Sequence, residues 1–386
     1  MNKIGDIVTI SKGKKHNLLE NPSHTSKRVL TIEDLRNNIK LKFTDDLKGT
    51  VATKNDVLIA WDGANAGTIG YGESGYIGST IARLRIIDSE KYYGPFLGTF
   101  LRSKFRYLRK TSTGATIPHI NRQALDNIKV PGIEIDDQIR IASVLSRVEG
   151  LIAKRKESIQ LLDDFLKSTF MDMFGDPVRN EKEPKRKLGD YISFITSGSR
   201  GWAKYYSDEG DVFLRINNIR YGYFKLDDLK YVNAPNNAEA KRTKIETNDL
   251  LISITADLGR TAVVTEQLNG SFINQHLALI RLKKEDINPL YLAWYFAMPF
   301  GRSVVLRKNR NAVKAGLNFD DIKAFDIVVP PLDIQNQFVA VVTKVENIRS
   351  KYKDSLEELV NIYGSLSQRA FKGELDLKRI TQEVKQ

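Results

Sequence analysis

Two kinds of hydrophobic pattern alternate along this chain. The first is short and strand-like. It appears in "DVLIAW" at 56, "TIARLRI" at 80, "DVFLRI" at 211, "DLLISIT" at 249 and "TAVVT" at 261, with Gly and Asn turns between the runs. Helices are expected over Pro95–Lys110 and Pro289–Lys308, each opening with a proline in its first turn. The second pattern is long. Apolar residues recur at Ile141, Leu145, Val148, Ile152, Ile159, Leu162 and Leu166, and again at Phe338, Val342, Val345, Tyr352, Leu356, Leu359 and Tyr363. The spacing alternates three and four, the seam of a coiled coil, with Arg155 and Arg349 interrupting it. No proline interrupts Asp136–Phe174 or Ile334–Phe371, so each segment predicts one helix of roughly 55 Å at 1.5 Å per residue. Gly150, Gly364 and Gly373 weaken these helices locally.

The whole pattern occurs twice. "KIGDIVTISKG" at 3 returns as "KLGDYISFITSG" at 187, and Asn55–Ile59 returns as Asn248–Ile252. "TIARLRI" at 80 returns as "HLALIRL" at 276, and "VPGIEIDDQ" at 130 as the shorter "VPPLDIQ" at 329. From "VLSRVEG" at 144 the two copies align without gaps at an offset of 197, through Phe174 and Phe371. The 386 residues therefore read as two tandem copies. The expected fold class is mixed α/β (α+β): two globular domains, each followed by a long helix, the helices pairing as an antiparallel coiled coil. The expected boundaries are 1–135 for the first globular domain, 136–178 for its helix, 179–332 for the second domain, 333–375 for the second helix, and 376–386 for a C-terminal tail. A long helix with one apolar stripe must bury it. Either the two copies pack their helices together, or each helix packs on its own domain. The segment 174–190, with Gly175, Pro177 and Pro184, reads as the junction.

Charge narrows the class of partner. The net charge is +13, with +6 in residues 1–178 and +7 in the remainder, so each copy is basic by itself. Such a balance suggests a polyanionic partner, most often nucleic acid; a generally basic solvated surface is the alternative. There is no cysteine, which excludes disulfides and thiolate metal sites. No apolar run reaches membrane-spanning length, and the opening residues lack the apolar stretch of a signal peptide. The expectation is a cytoplasmic protein with no membrane partner.

Catalytic constellations are hard to find. "GANAGTIGYG" at 63 has neither a P-loop ending nor dinucleotide-fingerprint spacing, and reads as a turn between strands. His16, His24, His119 and His276 lack a second ligand at metal spacing. The expectation is no enzyme activity, no metal and no cofactor in this chain. What recurs with variation is a polar segment late in each domain: "RKTSTGATIPHINRQAL" at 109 and "RKNRNAVKAGLNFDDI" at 307. Arg-Lys leads both, Ala115 matches Ala312, and Asn121 matches Asn318, while the side chains between differ. A shared frame with different polar inserts suits two related readers of different base sequences, or else a loop capping the domain end.

Together the "KIGD" and "KLGD" openings, "NDVLIA", "NDLLISITADLGRTAVV", "TGATIPHIN" and the "VPPLDIQ" lead into a long helix carry a resemblance across essentially the whole chain. The sequence resembles the specificity subunits of type I restriction–modification systems, the HsdS family. That resemblance implies two target recognition domains that each read half of a bipartite DNA site. It implies spacer helices that set the half-site separation and help dock two methyltransferase subunits. S-adenosylmethionine, ATP and Mg would belong to partner subunits, the last two to restriction (motor) subunits, and the host would be bacterial or archaeal. No self-oligomer is required. An autonomous or regulatory DNA-binding or scaffold protein without methyltransferase partners is the alternative.

On this reading the candidate DNA contacts in copy one are Lys12, Lys14, Lys15, Trp61, Asn65, Arg109, Lys110, Thr113, Thr116, His119 and Asn121. In copy two they are Ser199, Arg200, Trp202, Arg215, Asn217, Asn218, Asp257, Arg260, Gln275, His276, Arg307, Lys308, Arg310, Asn311 and Lys314. Trp61 and Trp202 are either core residues or base stackers. Arg215 with Asn217 and Asn218 is either a reading cluster or an ordinary turn, and Arg260 is either a reader or simply solvated.

Overall fold

The structure is a computed structural model that describes residues 1–36, 40–114, 116–176, 184–283, 286–308 and 316–375. The chain divides into two compact units: Met1–Glu157 with Lys353–Gln386, and Ser158–Tyr352. Each long helix contributes one part to each unit. The first spans Ile135–Phe174 and the second Leu332–Lys372.

In the first unit a main antiparallel sheet has the order Val8–Lys12, Ile81–Ile86, Val57–Ala60, Ile69–Tyr71. Its central strand, Val57–Ala60, is buried on both faces and reads as an unbroken apolar run. A second sheet runs Lys42–Thr44, Lys27–Leu30, Gly75–Ile77, Val51–Ala52, with one parallel pairing, Val29 opposite Tyr76. The second unit repeats this arrangement. Its main sheet is Ile192–Ser197, Leu277–Leu282, Leu250–Ser253, Thr261–Val263. Its outer sheet is Tyr206–Ser207, Lys230–Val232, Asp211–Leu214, Phe272–Ile273, again with one parallel pairing, Phe213 opposite Phe272.

Four details repeat with the same physical cause. Gly13 and Gly198 end the first main-sheet strand of each unit, and a Cβ at either would lie 2.2 Å from a carbonyl oxygen, of Gly78 and Ile273 respectively. Only glycine admits that approach. Arg85 holds the buried Asp56 through two bonds of 2.9 and 2.8 Å, and Arg281 holds the buried Asp249 through bonds of 2.8 and 2.9 Å. Burial works against ionisation of Asp56, yet the Arg85 and Thr53 hydrogen bonds keep its carboxyl below the usual range. Asn121 and Asn318 each accept a backbone N–H three residues on and so cap a short helix. Finally, a buried glutamine in the first turn of each long helix, Gln138 or Gln335, ties that helix to its domain. Gln138 accepts from Tyr93 N–H and donates to the carbonyls of Lys91 and Ile133; Gln335 accepts from Asn288 N–H and donates to those of Asp286 and Pro330.

The expected helices Pro95–Lys110 and Pro289–Lys308 are each broken in two. The first becomes Gly94–Ser103 and Phe105–Lys110, the second Pro289–Ala297 and Pro299–Arg307. The second break has a clear origin. A residue before proline is pushed out of the helical region, and Met298, before Pro299, is extended at φ −72, ψ 155. Gly301 then lets the chain turn tightly, since a Cβ there would sit 2.0 Å from the Tyr295 carbonyl.

Within each unit, segments of the two long helices run antiparallel. In the first, Ile141, Ala142 and Leu145 share a core with Ala370, while further along Tyr363 donates to Glu149 at 2.6 Å. In the second, Phe170 packs edge-on to Phe338 at 5.2 Å, and Asp163 meets Arg349 at 2.6 Å. Every residue of the sequence-derived seam is buried or half-buried. The seam extends beyond it, to Phe170, Phe174, Leu366, Ala370 and Phe371, which join the domain cores. Arg349, which breaks the apolar stripe, is 3% exposed; it lies between Asp163 and Glu346 with its guanidinium 5.1 Å from the Tyr223 ring centre. A desolvated arginine persists there because two carboxylates and a ring face surround it.

Candidate nucleic-acid interface

In the first unit the polar side chains converge where the central strand Val57–Ala60 ends. Trp61 N–H donates to the Thr80 carbonyl, and its own carbonyl accepts from Ile120. That pins the next residue, Asp62, between two elements. Lys12 Nζ lies 3.2 Å from one Asp62 oxygen and His119 Nδ1 lies 2.6 Å from the other. Thr113 and His119 exchange two backbone hydrogen bonds, which holds both residues beside Asp62. Arg109 donates to the carbonyls of Ala64 and Ala66, and Asn65 accepts from Arg36. Lys12, Asp62, Asn65, Arg109, Thr113 and His119 are therefore assembled at one end of the sheet. Trp61 is buried, with Lys12 Nζ 5.5 Å from its ring centre, and Asn121 is a helix cap. Lys14, Lys15, Lys110 and Thr116 are exposed.

The second unit uses the same frame with other side chains. Ile254 N–H donates to the His276 carbonyl and its carbonyl accepts from Leu317, so Thr255 occupies the place of Asp62. Thr255 Oγ1 meets His276 Nδ1 at 2.6 Å, and Gln275 Nε2 lies 3.2 Å from His276 Nε2. A histidine thus sits beside the equivalent residue in both units, although it comes from a different segment each time. Nearby, Arg260 pairs with Asp257 at 2.7 Å, and Tyr221 Oη donates to Asp257 at 2.9 Å. Burial opposes ionisation of Asp257, but these two hydrogen bonds hold its carboxyl below the usual range. Arg260 is half-buried and also donates towards the carbonyls of Ile216 and Ile219.

The other candidates of copy two separate into framework and surface. Ser199 and Trp202 are buried; the Ser199 hydroxyl bonds Thr243, and Trp202 Nε1 donates to Glu239. Asn218 is buried and bonds Arg215 N–H and the carbonyls of Lys225 and Asp228, while Arg215 donates to Asp228. That cluster is a closed turn. Asn217, Arg200 and Arg307 are exposed and Lys308 half-buried. Arg310, Asn311 and Lys314 lie outside the described residues. Sequence reasoning missed Asp62 and Thr255. Their signal was position: each lies two residues past the end of the central strand, at matching points of the repeat.

Two heads that share a main-sheet order and differ in the side chains at the sheet end agree with comparison to known proteins. The family described as "Type I restriction modification DNA specificity domain" matches residues 1–161 and 181–359. The chain belongs to this family. It is 23% identical to the type I restriction enzyme MjaVIII specificity subunit of Methanocaldococcus jannaschii, over 92% of this chain and 88% of that protein. It is 21% identical to the EcoBI specificity subunit of Escherichia coli, over 87% of this chain and 79% of that one. The fold resembles the crystal structure of the type I S subunit from M. genitalium, with a TM-score of 0.63 and 14% identity, covering 96% of this chain and 95% of that chain. A chain in a study of type I complex assembly and conformational transition is similar at a TM-score of 0.54 and 16% identity, covering 97% of both. Among the described residues no helix is long and apolar enough to cross a membrane, and no cluster of His, Asp or Glu is suited to a metal.

Proposed function

We propose that this chain is the specificity subunit of a type I restriction–modification complex and reads an asymmetric, two-part DNA site. The observation that carries the reading is the equivalence of Asp62 and Thr255. One backbone frame, built twice, presents Asp62 with His119 and Lys12 in one head and Thr255 with His276 in the other. Two frames of the same geometry with different donors and acceptors would meet duplex DNA in equivalent ways and select different bases. Exposed Lys14, Lys15, Lys110, Arg200 and Arg307 would supply salt-sensitive phosphate contacts.

The long helices would serve as the spacer and as a docking surface. Support comes from apolar side chains left on their outer faces. Leu151, Val360 and Ile362 in the first unit and Leu161, Phe165 and Ile348 in the second are exposed. An exposed apolar row of this kind invites cover by another protein, here methyltransferase subunits. S-adenosylmethionine, ATP and Mg would act on the methyltransferase and restriction subunits, and the chain itself would position without catalysing.

The test is an exchange. Residues 187–330 are replaced by those of another family member, and methylated adenines are mapped genome-wide in cells that also carry the methyltransferase. One half of the target should change and the other stay. A change in both halves, or in neither, contradicts the reading.

A further inference from the structure

We infer that a cleft in the second unit receives an acidic side chain flanked by apolar residues from the methyltransferase subunit, an inference that rests on the assembly proposed above. The cleft has a volume of about 580 Å³ and lies between the Arg220–Tyr223 loop, the joint between helices Pro289–Ala297 and Pro299–Arg307, and the first long helix at Asp163 and Lys167. It exists because of two backbone features. Pro299 breaks the helix, and Gly222, at φ +98, lets the loop come down on Trp294, where a Cβ would lie 2.9 Å from the indole.

The lining combines apolar and cationic side chains. Met298 and Pro299 line it, and Leu306 stands half exposed beside them. Arg220 and Arg302 also line it, and neither forms an ion pair among the described residues. Arg302 lies 4.3 Å from the Tyr221 ring centre and close enough to Asp257 to help keep its carboxyl ionised, and among the described residues Arg220 donates to the backbone carbonyls of Asn217 and Ile219. The local carboxylates are already engaged. Asp163 lies 2.6 Å from Arg349, and Asp257 is bonded by Arg260 and Tyr221. Lys167 has Asp164 at 3.4 Å. The buried indole N–H of Trp294 meets no acceptor among the described residues. Donors are thus in surplus among apolar side chains, which complements a carboxylate carried on an apolar segment.

Nucleic acid fits this cleft less well. Stacking needs a free ring face. Arg302 occupies one face of the Tyr221 ring, Arg349 one face of the Tyr223 ring, and Gly222 lies against the buried Trp294 indole. A sugar–phosphate strand would also leave the half-exposed Leu306 without an apolar partner.

The experiment uses the full chain with the methyltransferase subunit of its own system. Assembly affinity is measured for wild type, Arg302→Glu, Arg220→Glu and the milder Arg302→Gln, with circular dichroism melting to verify folding. A photo-crosslinking residue replaces Ser303, on the cleft wall, and the crosslinked partner is sequenced. Charge reversal should weaken assembly roughly tenfold or more, Arg302→Gln less, and the crosslink should fall on a segment with Asp or Glu beside apolar residues. Unchanged assembly in the folded variants, or a crosslink to DNA or to a segment without an acid, overturns the cleft assignment and leaves the functional reading standing. No complex with wild type overturns both. If Arg302→Glu does not fold, Arg302→Gln and the crosslink decide.

Discussion

Replacing Gln138 by alanine should loosen the joint between the first head and its long helix. Gln138 is 1% exposed and makes three hydrogen bonds of 2.8 to 3.0 Å, one from Tyr93 N–H and two to the carbonyls of Lys91 and Ile133. Alanine removes all three partners at once. A buried backbone group left without a partner costs about 1–3 kcal/mol, and the one lost methylene adds about 0.8 kcal/mol. Water entering the vacated space offsets part of this. The expected loss is about 3–4 kcal/mol, a large share of the ~5–15 kcal/mol typical of a folded domain. Gln138→Glu should be no better, because it keeps the acceptor for Tyr93 but sets a carboxylate against two carbonyls. Urea unfolding gives the magnitude, and amide exchange of residues 91–97 and 133–141 localises it. The same substitution at Gln335 should act on 286–292 and 330–338 instead. A loss under about 1 kcal/mol with unchanged exchange at Tyr93 would refute the claim that this side chain fastens the joint.

Three further outcomes are expected. Gly13→Ala and Gly198→Ala each place a methyl 2.2 Å from a carbonyl and should unfold or strongly destabilise their units; a soluble variant with wild-type melting would contradict the repeat-specific constraint. Burial raises the Tyr295 phenol to about 12, and burial together with Glu149 raises that of Tyr363. Because both are raised above the unfolded value of about 10, their contribution is complete below pH 10 and is lost as pH rises through the folded values, about 2–3 kcal/mol for Tyr295; a Tyr295→Phe variant that loses stability as steeply as wild type between pH 10 and 12 would refute this. Alanine at Lys14, Lys15 or Arg200 should lower the slope of log affinity against log salt by about 0.9 each and leave the methylated motif unchanged, so a changed motif would make that residue a base reader.

What could be read from the sequence was what repetition and period encode. Tandem matches at Asn55–Ile59 and Asn248–Ile252 located the central strands, and three–four spacing located both long helices to within a few residues. Apolar period speaks of burial, however, and not of the buried group's partner. It therefore could not tell that Arg349, a break in the stripe, is held by Asp163 and Glu346. Nor could it tell that Gln138 and Gln335 occupy the same position despite the longer spacing after Pro131.

The proposed reading end of each head was less legible for a related reason. Candidates were chosen by residue type, and residue type does not separate a side chain that closes a turn from one that faces solvent. Asn218, Arg215 and Ser199 have donors and acceptors suited to DNA, but each spends them inside the protein. Asp62 and Thr255 are the reverse: unremarked by type, they are singled out by where the frame puts them. If specificity diverges by exchanging side chains on a fixed frame, residues at these two positions should alter the chosen bases without altering half-site spacing. The buried glutamines should do the opposite. On the proposed reading, base choice would sit at the end of the central strand and geometry at the helix joint, and the two sets of variants can be scored on one methylation map.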